Sequence, residues 1–299
     1  MSSTLPARHL LLAVAVVAVW GTNFVVIKLA LEQLPPLLLA TLRFSFALLP
    51  AVFFLKRPPV PWRNLATYGV LIGAGQFGLL FIAMNGHITP GLASLVIQTQ
   101  VFFTIGMAMH VADERVQPVQ WVALLLAAAG LVTIATHTDG STTPLGLAIT
   151  LVAAFCWACG NMAGRQAGRV DTLAYVVWAS AFSIPPLLAL SLLVEGPARI
   201  ATSLAQADAV AWAAVLWQAL GNTLFGYAAW GWLLARHPAA TITPMALLVP
   251  VFGMASAAWW LGEPLPGWKL AAAALVLGGL ALNLLWPRLR AATISPPPT

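Results

Sequence analysis

Residues 20–44 read WGTNFVVIKLALEQLPPLLLATLRF. Two apolar runs flank a Pro-Pro break at 35–36. Extended outward to Leu10 and Leu55, each run holds about 20 mostly apolar residues, the length of an α-helix that crosses a bilayer. The stretch therefore predicts a helical hairpin in a membrane. It also carries Asn23, Lys28, Glu32, Gln33 and Arg43. Such groups are costly in hydrocarbon unless they meet partners or water. One face of the hairpin is expected to turn inward.

The rest of the chain repeats the pattern. Of 299 residues, 61% are hydrophobic and 7% charged, with mean hydropathy +0.90. A soluble domain carries about 25% charged residues. Ten spans are expected, at 10–30, 36–55, 65–86, 92–110, 119–136, 144–163, 173–193, 209–233, 240–260 and 267–286. Breakers separate them, among them RPPVP at 57–61, TPG at 89–91, TDGSTTP at 138–144, EGP at 195–197 and HP at 237–238. The predicted class is an all-α polytopic membrane protein. The tail SPPPT reads as disordered, and the first apolar run is too long for the core of a cleaved signal peptide.

Basic residues give the orientation. Ten of the fourteen Lys and Arg fall on one side if the N-terminus is cytoplasmic: Arg8, Lys56, Arg57, Arg63, Arg115, Arg165, Arg169, Arg236, Arg288 and Arg290. Arg199 and Lys269 fall on the other, and Lys28 and Arg43 lie in or beside spans. The expectation is a cytoplasmic (inner) membrane of bacterial type, with both termini cytoplasmic. The net charge of +6 forms no basic stripe, so no nucleic-acid partner is expected. Cys156 and Cys159 lie in an apolar run and read as packing residues.

The two halves echo each other. WGTN at 20–23 resembles WACGN at 157–161. QTQVFFTIGMAMHVADERV at 98–116 resembles LVPVFGMASAAWWLGEPL at 248–265. With Glu114 set on Glu263, a shift of 149, Gly130 falls on Gly279. Each half holds five spans. Five is odd, so the second half starts on the opposite side and the repeats, 1–138 and 139–299, are inverted. Inverted repeats with a midplane site between them recur in secondary transporters.

These motifs, with LGGLAL at 277–282, resemble the EamA-type repeats of the drug/metabolite transporter superfamily, over roughly residues 10–286. Within it the chain is most similar to the YddG-type exporters of aromatic and other neutral amino acids. QVF in the first half stands where such repeats carry a Pro-containing turn, and ADERV where they carry Gly-Glu. The resemblance implies ten spans and export of metabolites across a bacterial cytoplasmic membrane.

The polar and aromatic residues of the spans are the candidates for a substrate cavity: Trp20, Asn23, Arg43, Gln76, Gln98, Gln100, Trp157, Asn161, Trp178, Asn222 and Tyr227. Each has two readings. Asn23 and Asn161 either glue helices together or line a cavity. Arg43, about 12 Å inside the end of its helix, either pairs structurally or faces the transport path. Gln98 and Gln100 project about 200° apart and cannot share one cavity. Lys28 is expected to snorkel and could pair with Glu32. Trp62, Trp212, Trp268 and Trp286 read as interfacial anchors, whereas Trp20, Trp157 and Trp178 lie deeper. Gly69 and Gly73 predict close helix packing. Pro90, Gly91, Pro244 and Pro250 are hinge candidates.

No GxxxxGK[ST] and no HExxH is present, which disfavours ATP-driven transport and zinc hydrolysis. No metal or cofactor is expected. No span holds Asp or Glu near its centre, so movement of solute down its own gradient is expected rather than proton coupling. The reading is a facilitative exporter of small neutral metabolites, amino acids among them. A drug or polyamine exporter and an intramembrane lipid-modifying enzyme are the alternatives.

Overall fold

The computed structural model describes residues 5–112, 118–137 and 140–294. Glu114, the expected repeat boundary at 138/139 and the SPPPT tail lie outside them. Among the described residues, nine helices are each long and apolar enough to cross a membrane. They are α1 (Ala7–Leu31), α2 (Pro36–Phe53), α3 (Trp62–Met84), α4 (Pro90–Met107), α5 (Pro118–Ala135), α6 (Pro144–Gln166), α7 (Thr172–Glu195), α9 (Thr243–Leu261) and α10 (Gly267–Trp286). The tenth, α8 (Ala209–Arg236), meets a short helix, Pro197–Gln206, at a bend of 104°. That short helix was not expected from the sequence. It is polar and largely exposed, and it lies between spans.

The sequence breakers begin helices. Pro36, Pro90, Pro118 and Pro144 each open a span, where a missing N–H costs nothing and φ is already helical. Thr143, Asp171 and Asp208 cap α6, α7 and α8 through their own side chains. The starts of α2 and α4 have no local cap and are served from afar. The N–H groups of Leu37 and Leu38 donate to the two carboxylate oxygens of Glu195 at the end of α7, at 2.6 and 3.0 Å. The N–H of Gly91 donates to Glu263, just after α9, at 2.9 Å. Both carboxylates sit where the helix dipole favours negative charge.

Helix packing follows a two-fold exchange of α1 with α6, α2 with α7, α3 with α8, α4 with α9 and α5 with α10. The α1–α9 contact has its counterpart in α6–α4. Likewise α3–α6 matches α8–α1, and α3–α7 matches α8–α2, while α2–α7, α4–α9 and α5–α10 map onto themselves. Departures from α-helix also pair. A 3-10 segment interrupts α4 (Ile97–Thr99) and begins α9 (Thr243–Leu247). A π-helical segment widens α3 (Leu71–Gly78) and α8 (Trp217–Phe225). Such irregular turns in a bilayer persist where neighbouring helices re-satisfy the backbone.

Small residues set the closest approaches, as expected where close packing rather than water exclusion drives association. A Cβ on Gly69 would stand 2.2 Å from the carbonyl oxygen of Ala179, and one on Gly73 would stand 2.3 Å from Cβ of Ser183. The Ser183 hydroxyl donates to the Gly69 carbonyl at 2.8 Å. These contacts lock α3 onto α7.

Candidate functional site

Arg43 is the largest fully buried side chain, 1% exposed. It projects from α2 toward α3 and α8. Its guanidinium lies 3.6 Å from the centroid of the Phe77 ring on α3. One terminal nitrogen, Nη2, donates to the Thr223 hydroxyl on α8 at 3.3 Å. Nε and Nη1 are buried and have no hydrogen-bond partner among the described residues. No described carboxylate pairs with it: the one salt bridge among the described residues joins Glu263 to Lys269, and the described Asp and Glu lie at span ends or in loops. Taking an ion out of water costs several kcal/mol even after relaxation. A desolvated cation–π contact returns about 2 kcal/mol. The guanidinium is therefore under-compensated by the protein that surrounds it.

Other unsatisfied groups lie on the same helices. Gln218 on α8 is fully buried, and neither its amide nitrogen nor its oxygen has a partner among the described residues. It stands one π-turn before Thr223, whose hydroxyl donates to the Gln218 carbonyl at 2.9 Å. Asn23 on α1 is 3% exposed, and its side-chain oxygen is unpartnered. Trp20 registers α1 against α8. Its indole N–H donates to the Asn222 carbonyl at 3.1 Å, and its ring lies 5.8 Å from Tyr227 and 5.1 Å from Trp230. Asn23 follows Trp20 by three residues and shares its face, so it too points toward α8. Gly226 lets the indole in, since a Cβ there would meet Trp20 Nε1 at 2.4 Å. Tyr227 lies close to Tyr68 of α3 and to Arg43. Trp20, Arg43 and Tyr227 thus meet between α1, α2, α3 and α8, with Asn23 on the Trp20 face of α1 and the Asn222 backbone bonded to Trp20.

The remaining candidates are elsewhere. Asn161 on α6 donates to the Gln100 side-chain oxygen on α4 at 2.8 Å, and Thr104 shares that oxygen. Gln98 projects the other way and reaches the Ala246 carbonyl, where α4 crosses α9, at 3.4 Å. Gln76 is buried in the π segment of α3, and Trp157 is half-buried on α6. Trp178 donates to the Leu55 carbonyl at 3.0 Å and meets the Trp62 ring, which places it near the N-terminal end of the bundle. Pro90 and Gly91 lie at the helix start that Glu263 fixes. Pro244 opens the 3-10 segment of α9, and Pro250 follows it in the first turn of regular helix, where a missing N–H costs little. Lys28 and Glu32 form no ion pair. Gln218, Thr223 and Phe77 were not among the candidates. A lone amide, hydroxyl or ring on an apolar helix gives no sequence signal until the fold brings the three beside Arg43.

The two asparagines that look equivalent in sequence are not equivalent in space. Asn161 meets Gln100. Asn161 follows Trp157 by four residues and Asn23 follows Trp20 by three, so the two amides leave their helices about 100° apart relative to the tryptophan. The side-chain oxygen of Asn23 has no partner among the described residues.

A separate cavity of about 490 Å³ opens at the N-terminal end of the bundle, lined by Arg8, His9, Leu12, Trp232 and Arg236. It is about 20 Å along α8 from Thr223 at 1.5 Å per residue. Among the described residues, no group of three or more His, Cys, Asp or Glu could hold a metal ion.

Comparison with known proteins agrees with this architecture. The family described as EamA-like transporter family matches residues 7–136 and again residues 144–285. The chain is 44% identical over 285 residues to a probable amino-acid metabolite efflux pump of Salmonella typhimurium, covering 93% of this chain and 95% of that protein. It is 41% identical over 287 residues to a protein of the same description from Escherichia coli, covering 94% and 96%. A solved crystal structure shares the fold with a TM-score of 0.64 at 20% identity, over 97% of this chain and 99% of that one.

Proposed function

Because the chain belongs to the EamA-like transporter family, we propose that this multi-pass membrane transporter exports neutral amino acids, aromatic ones among them, by alternating access. The observation that carries the reading is the set of buried, unsatisfied polar groups of Arg43, Gln218 and Asn23, carried by α2, α8 and α1, helices of both halves. Similarity along nearly the whole chain to two probable amino-acid metabolite efflux pumps supports the same solute class. Phe77, Trp20, Tyr227 and Trp230 supply aromatic surface beside the polar groups, a combination suited to a zwitterion with an apolar side chain.

Rocking of one repeat against the other exposes the cluster to each side in turn. The paired 3-10 and π segments give the places where helices repack. Transport is facilitative, because among the described residues no carboxylate pairs with Arg43 to carry a proton. The same absence argues against polyamines and other cations. The distribution of Lys and Arg supports an inner-membrane location with both termini cytoplasmic.

Counterflow tests the reading. Purified protein in vesicles loaded with an unlabelled amino acid is expected to concentrate the labelled form transiently, with no ion gradient imposed. Absence of counterflow across a panel of neutral amino acids would refute it.

A further inference from the structure

We infer that Arg43, Gln218 and Asn23 together receive the charged head of an α-amino acid, with Arg43 on the carboxylate and the two amide oxygens on the ammonium. This assignment rests on the amino-acid reading above and deepens it.

Arg43 offers two buried donors without partners, Nε and Nη1. The two lie on different edges of the guanidinium, so each grips a carboxylate through two parallel hydrogen bonds only together with the second N–H of Nη2, as the Nε/Nη2 or the Nη1/Nη2 pair. Asn23 Oδ1 and Gln218 Oε1 are buried acceptors without partners. An ammonium needs acceptors and offers only donors. The unsatisfied donors and acceptors of the cluster are therefore the complement of a zwitterion. The Gln218 amide nitrogen, also unpartnered, is a further donor for the carboxylate. Neither charge of such a solute meets a like charge, since the described residues place no second cation and no carboxylate against Arg43.

The ring of Phe77 explains how the guanidinium persists between transport events. Stacked at 3.6 Å, it holds the fork flat without occupying its edges. Thr223 fixes one corner, leaving Nε and Nη1 directed elsewhere. A purely structural arginine would show these donors consumed by backbone carbonyls or by a carboxylate.

The competing account is that Arg43 only clamps α2, α3 and α8 together. Full-length protein in proteoliposomes separates the two. The probe is labelled L-phenylalanine in counterflow, challenged with unlabelled L-phenylalanine, phenethylamine, which lacks the carboxylate, and 3-phenylpropanoate, which lacks the ammonium. Each half-analogue is expected to compete at least about tenfold more weakly than phenylalanine, the factor for one lost charge-assisted hydrogen bond. If phenylalanine itself is not carried, the same comparison is run with alanine, ethylamine and propionate. Arg43→Gln is expected to lose counterflow by about tenfold or more, while its melting temperature holds or rises. Arg43→Lys is expected to retain part of the flux, as a point charge without the fork. Equal competition by the amine would overturn the assignment while leaving amino-acid export intact. So would an Arg43→Gln protein whose transport and melting temperature fall together. If Arg43→Gln does not fold, the analogue series on the unaltered protein decides the matter.

Discussion

Gly130 on α5 and Gly279 on α10 face each other's helices reciprocally. A Cβ on Gly130 would meet Val276 and Ala272, and a Cβ on Gly279 would meet Ala123 and Ala127. Each pair of positions is separated by the repeat shift of 149, so one contact maps onto the other. This self-complementary geometry is what a two-fold relation between halves requires.

The obstacles at the two glycines differ, and so do the expected costs of a methyl group. At Gly130 the nearest atom is a Val276 methyl at 2.7 Å, on a side chain that can give way. At Gly279 it is the Ala123 backbone oxygen at 2.5 Å, which cannot move without its helix. Gly279→Ala is therefore expected to destabilise more than Gly130→Ala, within the roughly 1–3 kcal/mol typical of overpacking. Thermal unfolding in detergent ranks the two. Gly106→Ala, with open space around its Cβ position, is the neutral control.

The ion pair of Glu263 with Lys269 is buried, with the partners 9% and 4% exposed. The carboxylate also accepts from Thr89 and from the Gly91 N–H, tying the end of α9 to the start of α4. Glu263→Gln leaves a buried ammonium without its counterion and is expected to cost about 3–5 kcal/mol. Lys269→Met placed on top of it should recover much of that loss. A double-mutant cycle that finds no coupling would remove Glu263 as the fastener of this end.

The two asparagines give opposite expectations. Asn161→Leu breaks the bond to Gln100 and should lower stability by about 0.6–1.7 kcal/mol, the measured range for such bonds in membranes. Asn23→Leu removes an oxygen that bonds nothing, so stability should hold or rise. Flux should respond in reverse, falling with Asn23→Leu and changing little with Asn161→Leu. Paired melting and counterflow measurements on both variants check this.

Much of the architecture was legible in the sequence, because hydropathy over some twenty residues and Pro or Gly breaks are local signals. The nine spanning helices and α8 lie where the apolar runs placed them, and Gly69 with Gly73 marked a close helix contact. The helix at 197–206 was not legible, being too short and too polar to register between EGP and the next span. Nor were the irregular turns, which depend on what neighbouring helices offer the backbone. Within the site, Arg43 stood out because a cation deep in a span is costly wherever it points. Gln218 and Thr223 did not, because only the packing of α2 against α8 gives them meaning. The similarity of WGTN and WACGN suggested that Asn23 and Asn161 play equal roles. The one-residue difference in their spacing from Trp20 and Trp157 makes them unequal.

The central claim is that solute passes through the cluster between α1, α2, α3 and α8. The most direct measurement replaces Asn222, beside Gln218 and Thr223, with cysteine in a Cys156→Ala, Cys159→Ala background. Membrane-impermeant thiol reagent is then applied from each side in turn. The account predicts labelling from both sides, with protection by a transported amino acid. Labelling from neither side in protein that still performs counterflow would contradict it.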